Sequence, residues 1–239
     1  MEVRFTSVGD TAFNVEFGET IDRVTNTRVM ALHARLKAAP PLGLVETVPT
    51  FRSLLVVYDP VATSRRETQA AVESALAGSD AAPSEGRLWR LPVCYDPDLG
   101  PDLAELADTL GLTADRVAEL HRSTEYFVYM LGFMPGFGYM GDLPAELERP
   151  RRSEPRVRVP AGSVAVAGRL TTVYPWESPG GWHLIGRCPV PLYDGGRPDP
   201  VLLAAGDRVR FEAVDRAAFD GIAEALAAGR FDPGSLRVA

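Results

Sequence analysis

Lysine, cysteine and histidine are all scarce in this sequence of 239 residues. Lys37 is the only lysine among 25 basic residues, and no glycine precedes it, so the Gly-Lys-Ser/Thr triplet of a phosphate-binding P-loop is absent. A biotin carrier or a Schiff-base enzyme is excluded for the same reason, because each needs a suitably placed lysine. The two cysteines, Cys94 and Cys188, lie far apart in the sequence, which argues against a disulfide framework or a zinc site.

Targeting and membrane signals are missing as well. No basic-then-apolar signal region follows Met1, and no apolar run approaches the roughly 18 residues of a membrane span. The net charge of −7 and the pI near 5.1 make nucleic acids and anionic membranes unexpected partners. The three histidines have no metal-ligand spacing, so we predict no metal site. We expect a cytoplasmic protein with reduced cysteines.

Hydrophobic spacing in the first third of the chain predicts a small domain of order ββαββα, with helices covering one face of a sheet. The predicted strands and helices are Arg4–Val8, Ala12–Phe17, a helix from Thr20 to about Ala38, Leu44–Val48, Leu54–Tyr58 and a helix from about Arg66 to Leu76. The small, polar stretch from Gly78 to Gly86 is the predicted linker. We therefore predict one domain over residues 1–80 and a second over residues 87–239.

The second domain is predicted to open with a strand, Leu91–Tyr95, and two short helices, the first starting at Pro101-Asp102. Residues 126–200 then hold 11 of the 20 prolines and 11 of the 22 glycines. Prolines at that density interrupt helices and central strands, so this zone predicts an irregular, barrel-like β domain. A strand over 207–214 and a helix over about 216–228 complete a chain of the α+β class.

Three segments of this zone can carry chemistry, and each also has a purely structural interpretation. Glycines alternate with aromatic residues in Phe133–Gly141, which indicates either a binding loop with flat walls or a turn that seals the core. The stretch Arg149–Arg158 holds five arginines against one acid, typical of a carboxylate or phosphate site or of a solvated strand edge. Two glycine-containing turns, Val159–Ser163 and Ser178–Trp182, favour either an anion nest or ordinary β-turns.

The histidines also allow two interpretations. His33 lies mid-helix and is interpreted as structural, whereas the helix periodicity places His121 toward the core or toward the aromatic strand that begins at Tyr126. Near neutral pH a general base would be a histidine or a carboxylate with a raised pKa, so His121 is a candidate for proton transfer. No Ser-His-Asp order and no Gly-x-Ser-x-Gly elbow is present.

The order of short motifs in the second domain resembles that of one family. The motifs are Tyr129-x-x-Gly132-Phe133-x-Pro135-Gly136-Phe137, Pro150-Arg151-Arg152, Val159 to Gly168, Tyr174-Pro175, Ser178 to Trp182 and Ile185-Gly186-Arg187. They are similar to those of the 5-oxoprolinase B-subunit family, also known as allophanate hydrolase subunit 1 and as the Kip-type inhibitor of a sporulation histidine kinase. The first domain takes part in the resemblance through Gly9-Asp10-x-Ala12 and Val48-Pro49-Thr50.

The resemblance implies a cyclophilin-like β-barrel domain after a small α/β domain. It implies one component of an ATP-dependent hydrolase that opens the cyclic amide 5-oxo-L-proline to L-glutamate. It also implies partner chains, the C subunit of 5-oxoprolinase directly and its A subunit, with ATP and Mg²⁺ bound in the assembled complex and no cofactor held tightly by this chain alone. A lactam carbonyl resists water, and phosphorylation of its oxygen makes the carbon electrophilic, so catalysis depends on positioning and charge neutralisation.

The resemblance further implies two groups of site residues. The residues that would hold the substrate carboxylate or the transferring phosphate, or move a proton, are Arg151, Arg152, Arg187 and His121. The residues that would line the pocket are Tyr129, Phe133, Pro135, Gly136, Phe137, Tyr139, Pro160, Ala161, Gly162, Ser163, Pro179, Gly180, Gly181 and Trp182. Two other functions stay open: a regulatory inhibitor of a sensor histidine kinase, and a carboxyltransferase or allophanate hydrolase-type component of urea metabolism with biotin on another chain.

Overall fold

The computed structural model describes residues 3–77 and 86–238. The chain divides into two compact units, Met1–Glu85 and Gly86–Ala239. The predicted linker from Gly78 to Gly86 lies outside the described residues except for Gly86. Within the described ranges, no helix has both the length and the apolar character needed to cross a membrane.

The first unit is a four-stranded antiparallel sheet with two helices. Its elements are β1 (Arg4–Val8), β2 (Ala12–Glu16), α1 (Arg23–Ala38), β3 (Leu44–Pro49), β4 (Ser53–Tyr58) and α2 (Arg65–Ala77), with strand order β1-β2-β4-β3. Alternate residues of the two central strands are buried, as the period of two requires for a half-buried sheet. Helix α1 begins at Arg23 rather than near Thr20, because the Asp22 side chain accepts a hydrogen bond from the Thr25 amide and caps the helix.

The second unit is built around an eight-stranded sheet. The strands of the unit are β5 (Leu88–Val93), β6 (Glu125–Leu131), β7 (Gly138–Gly141), β8 (Arg156–Val159), β9 (Ser163–Ala167), β10 (Leu170–Val173), β11 (Ser178–Gly180), β12 (His183–Arg187), β13 (Arg208–Ala213) and β14 (Arg237–Val238). The sheet has the order β12-β9-β10-β7-β6-β13-β5-β14, while β8 and β11 form a separate two-stranded ribbon. The helices are α3 (Leu103–Leu110), α4 (Ala114–Arg122) and α5 (Arg216–Ala227).

The two faces of this sheet bury different cores. Val164 and Val166 of β9 belong to a large aliphatic core that also contains residues of α3 and α4. Ala165 and Ala167, on the opposite face, belong to a smaller cluster with Tyr174 and other aromatic residues. All five residues of β9 are therefore buried, and this strand runs between the two cores.

The α+β class is confirmed, but the closed barrel is not. No continuous strand pairing among the described residues joins β12, at one edge of the large sheet, to β5 near the other edge. One isolated bridge connects them: Cys94, after β5, and Arg187, at the end of β12, exchange two backbone hydrogen bonds of 2.9 Å. The interpretation of Ser178–Gly180 as a turn is wrong, since these residues form β11 against β8. The turn at Val159–Ser163 is present, with the Ser163 amide donating to the Pro160 carbonyl at 3.2 Å.

Candidate functional site

A positively charged cleft of about 370 Å³ lies in the second unit, and we call it the arginine cleft. Its lining residues are Glu105, Leu106, Thr109, Arg149, Pro150, Arg151, Arg152, Ser153 and His183. Three guanidinium groups, those of Arg149, Arg151 and Arg152, face one carboxylate, that of Glu105. The buried Nε atoms of Arg149 and Arg152 have no hydrogen-bond partner among the described residues. The cleft is therefore suited to a small anion.

A buried carboxylate, Asp102, fixes the arginines behind this cleft. One of its oxygens accepts from Arg152 Nη1 at 3.2 Å and from Arg156 Nη2 at 2.6 Å. The other accepts from Arg156 Nη1 at 2.8 Å and from the Leu184 amide at 2.7 Å. The Asp102 amide in turn donates to the Leu184 carbonyl at 2.9 Å. Asp102 thereby connects the start of α3, the arginine segment and β12.

An aromatic cluster, defined as Phe137, Tyr139, Tyr174 and Trp182, lies next to the cleft. The Phe137 ring contacts the other three rings edge-on, with centroid distances of 4.9 to 6.0 Å. Arg151 joins the cluster to the cleft, because its guanidinium carbon lies 5.9 Å from the centre of the Trp182 ring. Burial raises the pKa of Tyr174 to about 12, and the positive charge of Arg151 opposes that rise.

The loop between β6 and β7 is strained at an exposed aromatic residue. Phe133 has a φ of 67°, a left-handed conformation that costs energy for a bulky residue, and two-thirds of its surface is exposed. The Met134 amide donates to the Gly132 carbonyl at 2.8 Å across it, which closes a tight three-residue turn. The Phe133 ring packs edge-on against Phe137 at 5.5 Å. Strain of this kind is concentrated at functional sites, so the loop belongs to the candidate site.

Comparison with known proteins places this geometry in a family. The model of the carboxyltransferase domain, subdomains C and D, matches residues 3–203. The chain belongs to that family. It is 39% identical to the 5-oxoprolinase B subunit of Bacillus subtilis (strain 168) over 224 residues, which cover 88% of this chain and 93% of that protein. It is 40% identical to the 5-oxoprolinase B subunit of Escherichia coli O157:H7 over 204 residues, which cover 85% of this chain and 93% of that protein.

Among solved structures, TTHA0988 is similar to this member of the carboxyltransferase-domain family. The match has 41% sequence identity and a TM-score of 0.77, and it covers 90% of this chain. It covers only 40% of the TTHA0988 chain, so this chain spans less than half the length of that protein. The corresponding region of TTHA0988 is therefore joined to a larger remainder in one polypeptide.

Several predicted pocket residues of this family member do come together. Phe133, Phe137, Tyr139 and Trp182 meet through the ring contacts just described. Exposed Pro135 and buried Gly136 lie on the same loop as Phe133. Gly136 has a φ of 81°, and an added Cβ there would lie 2.8 Å from the Cβ of Tyr193.

Gly180, the last residue of β11, packs close to the same cluster, and Gly181 follows it. An added Cβ at Gly180 would lie 2.4 Å from the Tyr174 hydroxyl, so only glycine fits without displacing that ring. The Gly181 carbonyl accepts from the Arg152 amide at 2.7 Å, which ties it to the arginine cleft. Pro179, between Ser178 and Gly180, is exposed.

The residues from Pro160 to Ser163 form a turn whose backbone groups are already used. Gly162, with a φ of 78°, donates its amide to the Tyr174 carbonyl at 2.7 Å and accepts from the Cys188 amide at 2.8 Å. The Ser163 amide bonds the Pro160 carbonyl, and Ala161 is exposed at the tip. The turn thus does not provide the anion nest considered from the sequence, because these two amides have partners.

His121 lies in the core, away from the arginine cleft. Its side chain is fully buried, with Nδ1 2.7 Å from the Tyr95 hydroxyl and Nε2 2.9 Å from Thr171 Oγ1. The ring stacks on Phe211 at 4.6 Å, and burial lowers the pKa of His121 to about 3. A neutral, fully bonded imidazole in this position does not support the predicted transfer of a proton to or from a bound substrate.

Two more predicted residues lie apart from the cleft. Tyr129 is buried, and its ring packs so closely on Gly141 that an added Cβ there would lie 2.2 Å from a ring carbon. Arg187 ends β12, whereas His183 of the cleft begins it, so about 13 Å of strand separates the two residues. The structure therefore unites Arg151 and Arg152 but not Arg187.

The sequence includes Arg149 and Arg156 only as members of the arginine-rich stretch, and it does not single out Asp102 or His183 as site residues. The sequence predicts that Asp102 starts a helix, which it does, but its side chain makes no capping hydrogen bond and turns to the arginines instead. The His183 ring bonds the Pro150 carbonyl through Nε2 at 3.0 Å and holds the arginine loop against β12. No local signal marks Asp102, because Asp96, Asp98 and Glu105 lie close to it in the sequence.

The described residues contain no group of three or more His, Cys, Asp or Glu side chains placed to hold a metal ion. The donor set of the arginine cleft, with three guanidinium groups and one exposed carboxylate, suits the oxygen atoms of an anion rather than a cation. No step of the proposed chemistry is therefore assigned to a metal bound by these residues.

Proposed function

We propose that this chain is the B subunit of a 5-oxoprolinase, which opens 5-oxo-L-proline to L-glutamate at the expense of ATP together with partner chains. The observation that carries this proposal is the identity of 39–40% to 5-oxoprolinase B subunits over more than 90% of their lengths. The arginine cleft supports it independently, because phosphoryl transfer to a lactam oxygen needs fixed positive charges around the transferring group.

The cleft residues have distinct tasks in this proposal. The γ-phosphoryl group of ATP passes to the lactam oxygen, and ADP leaves. Water then adds to the ring carbon, and the C–N bond breaks as nitrogen gains a proton, which leaves an acyl phosphate. A second water hydrolyses this acyl phosphate to the free carboxylate of glutamate and inorganic phosphate. Arg151 and Arg152 neutralise the phosphate oxygens, and Arg149 adds a third positive charge beside them. Asp102 keeps Arg152 and Arg156 in place, so little reorganisation is needed during the reaction.

Partner chains form part of the proposal. The corresponding region of TTHA0988 is joined to a remainder that makes up more than half of that chain. This arrangement supports a direct association of the present chain with a second polypeptide, which we take to be the C subunit, and of the pair with the A subunit. ATP and Mg²⁺ would bind in the assembled complex.

We also infer that the second unit is a cyclophilin-like domain with an incompletely closed barrel. The Cys94–Arg187 bridge supports this, because it brings the end of β5 back to the end of β12 across seven strands of the sheet. A single bridge leaves this seam far weaker than the ladders on either side.

The decisive test is ATP-dependent release of glutamate from 5-oxo-L-proline by the complex reconstituted with its partner chains. Omission of this chain is expected to abolish turnover. The Arg151→Ala, Arg152→Ala double variant is expected to lower kcat/KM about 100-fold or more, because two charge-assisted contacts are lost. Arg158→Ala is the matched control in the same segment, since Arg158 pairs with exposed Glu177 outside the cleft. Full turnover without this chain would refute the proposal.

A second candidate has one observation in its favour. The matched family is that of a carboxyltransferase domain, which fits a component of urea metabolism that works with biotin on another chain. The same reconstituted complex, given allophanate or urea with a biotin-carrying partner in place of 5-oxo-L-proline, separates the two functions. Turnover of only the urea-derived substrate would favour this second candidate.

A further inference from the structure

We propose that Arg187 and Ser163 form a second anion site, separate from the arginine cleft, which binds the carboxylate of a small organic acid. The inference rests on the proposed function only for the identity of that acid, 5-oxo-L-proline. Its starting point is a pair of polar side chains that the described protein leaves without hydrogen bonds.

Arg187 differs from the other half-buried arginines of the described residues. Each of the others donates at least one side-chain hydrogen bond, as Arg197 does to the Pro200 carbonyl at 3.1 Å. Arg187 makes no side-chain hydrogen bond or ion pair to the described residues, and its Nε is buried. Burial lowers the pKa of Arg187, and the charge of nearby Arg216 adds to the effect. A half-buried guanidinium without a counter-charge among the described residues is costly, which indicates a role in binding an anion.

Ser163 supplies a second donor beside Arg187. The two residues are opposite each other in the antiparallel ladder of β9 and β12. Their own backbone groups bond elsewhere: the Ser163 carbonyl accepts from Tyr174, and Arg187 pairs with Cys94. They therefore form a non-hydrogen-bonded pair, the type in which opposite Cα atoms are only about 4.5 Å apart and side chains leave from the same face. Ser163 is fully buried, and its hydroxyl has no partner among the described residues.

The chemistry of the pair indicates a carboxylate rather than a polyphosphate. One guanidinium provides a planar pair of donors and one positive charge, and a neighbouring hydroxyl adds a third donor, which matches a singly charged carboxylate. The arginine cleft, with three guanidinium groups, matches a more highly charged phosphate. By the alternation of β9, Ser163 lies on the face of Ala165 and the aromatic cluster.

The first experiment compares 5-oxo-L-proline with 2-pyrrolidinone, the same lactam ring without the carboxylate. Binding of each is measured by calorimetry to this chain alone and to the assembled complex. The unaltered protein is expected to prefer 5-oxo-L-proline by about 10-fold or more. Arg187→Gln is expected to remove that preference, while Arg208→Gln, which alters another half-buried arginine paired with Glu125, keeps it. An undiminished preference in Arg187→Gln would overturn the inference.

The second experiment separates ligand binding from folding. Ser163→Ala removes an unpartnered buried hydroxyl, so Tm is expected to stay the same or rise while affinity for 5-oxo-L-proline falls several-fold. A lower Tm with unchanged affinity would show a structural hydroxyl and overturn the inference. Arg187→Lys retains the charge but not the planar fork, and is expected to restore part of the preference that Arg187→Gln loses.

The outcomes also distinguish this inference from the proposed function. If the complex does not turn over 5-oxo-L-proline, the same variants are tested with acetate against acetamide. Arg187-dependent preference for acetate would then support the site while the proposed function fails. Normal turnover with unchanged KM in Arg187→Gln would leave the proposed function intact and remove the site. If the unaltered protein prefers neither carboxylate to its neutral analogue, the inference is wrong.

Discussion

Asp207 and Asp102 are both buried in the second unit and both accept hydrogen bonds from arginine, but Asp207 binds one arginine and Asp102 binds two. Asp207 takes one arginine, Arg87, through Nε and Nη2, and its remaining acceptor sites bind the Trp89 indole and two backbone amides. Asp102 takes two arginines, one of which, Arg152, also lines the arginine cleft. The first arrangement is neutral and closed, whereas the second leaves positive charge available.

This difference shows how the same pair of residue types serves either the fold or a ligand. At Asp207 the charges cancel, and the bonds from Arg87 and Trp89 hold the start of β5 against the residues before β13. At Asp102 the acid compensates only part of the surrounding positive charge, because Arg149 and Arg151 line the same cleft. An excess of fixed, partly desolvated charge lowers stability unless an anion binds, so its presence indicates binding.

The largest expected effect is on stability, at the closed site. Asp207→Asn should lower the free energy of unfolding by about 3 kcal/mol, because Arg87 has no other ion pair among the described residues and the Trp89 indole and the Ala204 amide lose a charged acceptor. Denaturant unfolding measures the loss, and kcat/KM per folded molecule in the complex should not change. A smaller loss of stability than in Asp102→Asn would contradict the comparison.

Asp102→Asn should lower the free energy of unfolding less than Asp207→Asn does, and it should lower kcat/KM more. One of its arginines, Arg152, has a second carboxylate 3.9 Å away, that of exposed Glu105, to which it can turn when the Asp102 charge is removed. We expect a loss of about 1–3 kcal/mol in unfolding free energy and a fall in kcat/KM of roughly 10-fold or more, because Arg152 loses its fixed position. An unchanged kcat/KM would show that Asp102, like Asp207, serves only the fold.

The sequence alone predicts most helices and strands, but it does not predict the difference between Asp102 and Asp207. The sequence predicts helix α5 to within one residue, because hydrophobic periodicity is a local signal. Asp102 and Arg152 are 50 residues apart, and Asp207 and Arg87 are 120 apart. No local pattern indicates which acid meets one arginine and which meets two. The β8–β11 ribbon escapes prediction for a similar reason, since three residues carry no periodic signal.

Lowering the pH should reduce the free energy of unfolding through His121, whichever of the two aspartates is substituted. The pKa of His121 is lowered by burial from an ordinary value of 6.5 to about 3, so the unfolded chain binds a proton that the folded protein excludes. Stability is complete above pH 6.5 and is lost as the pH falls toward 3, by about 1 kcal/mol between pH 6.5 and 5.5.

Unfolding curves at these two pH values should show the same loss in Asp102→Asn and Asp207→Asn, and a smaller one in His121→Gln. A pH dependence that disappears in Asp102→Asn instead would assign the titration to the arginine cleft.

The smallest expected effect concerns the last arginine of the arginine-rich segment. Arg158 bonds Glu177 at 2.9 Å on both sides of its fork, yet both side chains are exposed. Exposed pairs of this type contribute little to stability. Arg158→Ala should leave Tm and kcat/KM unchanged within error, and a clear loss in either would extend the functional surface to the β8–β11 ribbon.

The seam between Cys94 and Arg187 sets an order for how the second unit opens. Two hydrogen bonds hold it, whereas β9 and β10 are paired at four successive positions. Local opening follows the weakest cooperative unit, so the amide protons of Cys94 and Arg187 should exchange with solvent before those of β9 and β10. Because the side chain of Arg187 lies at this seam, an acid bound there would slow the exchange, and the rate of opening would report occupancy of the site.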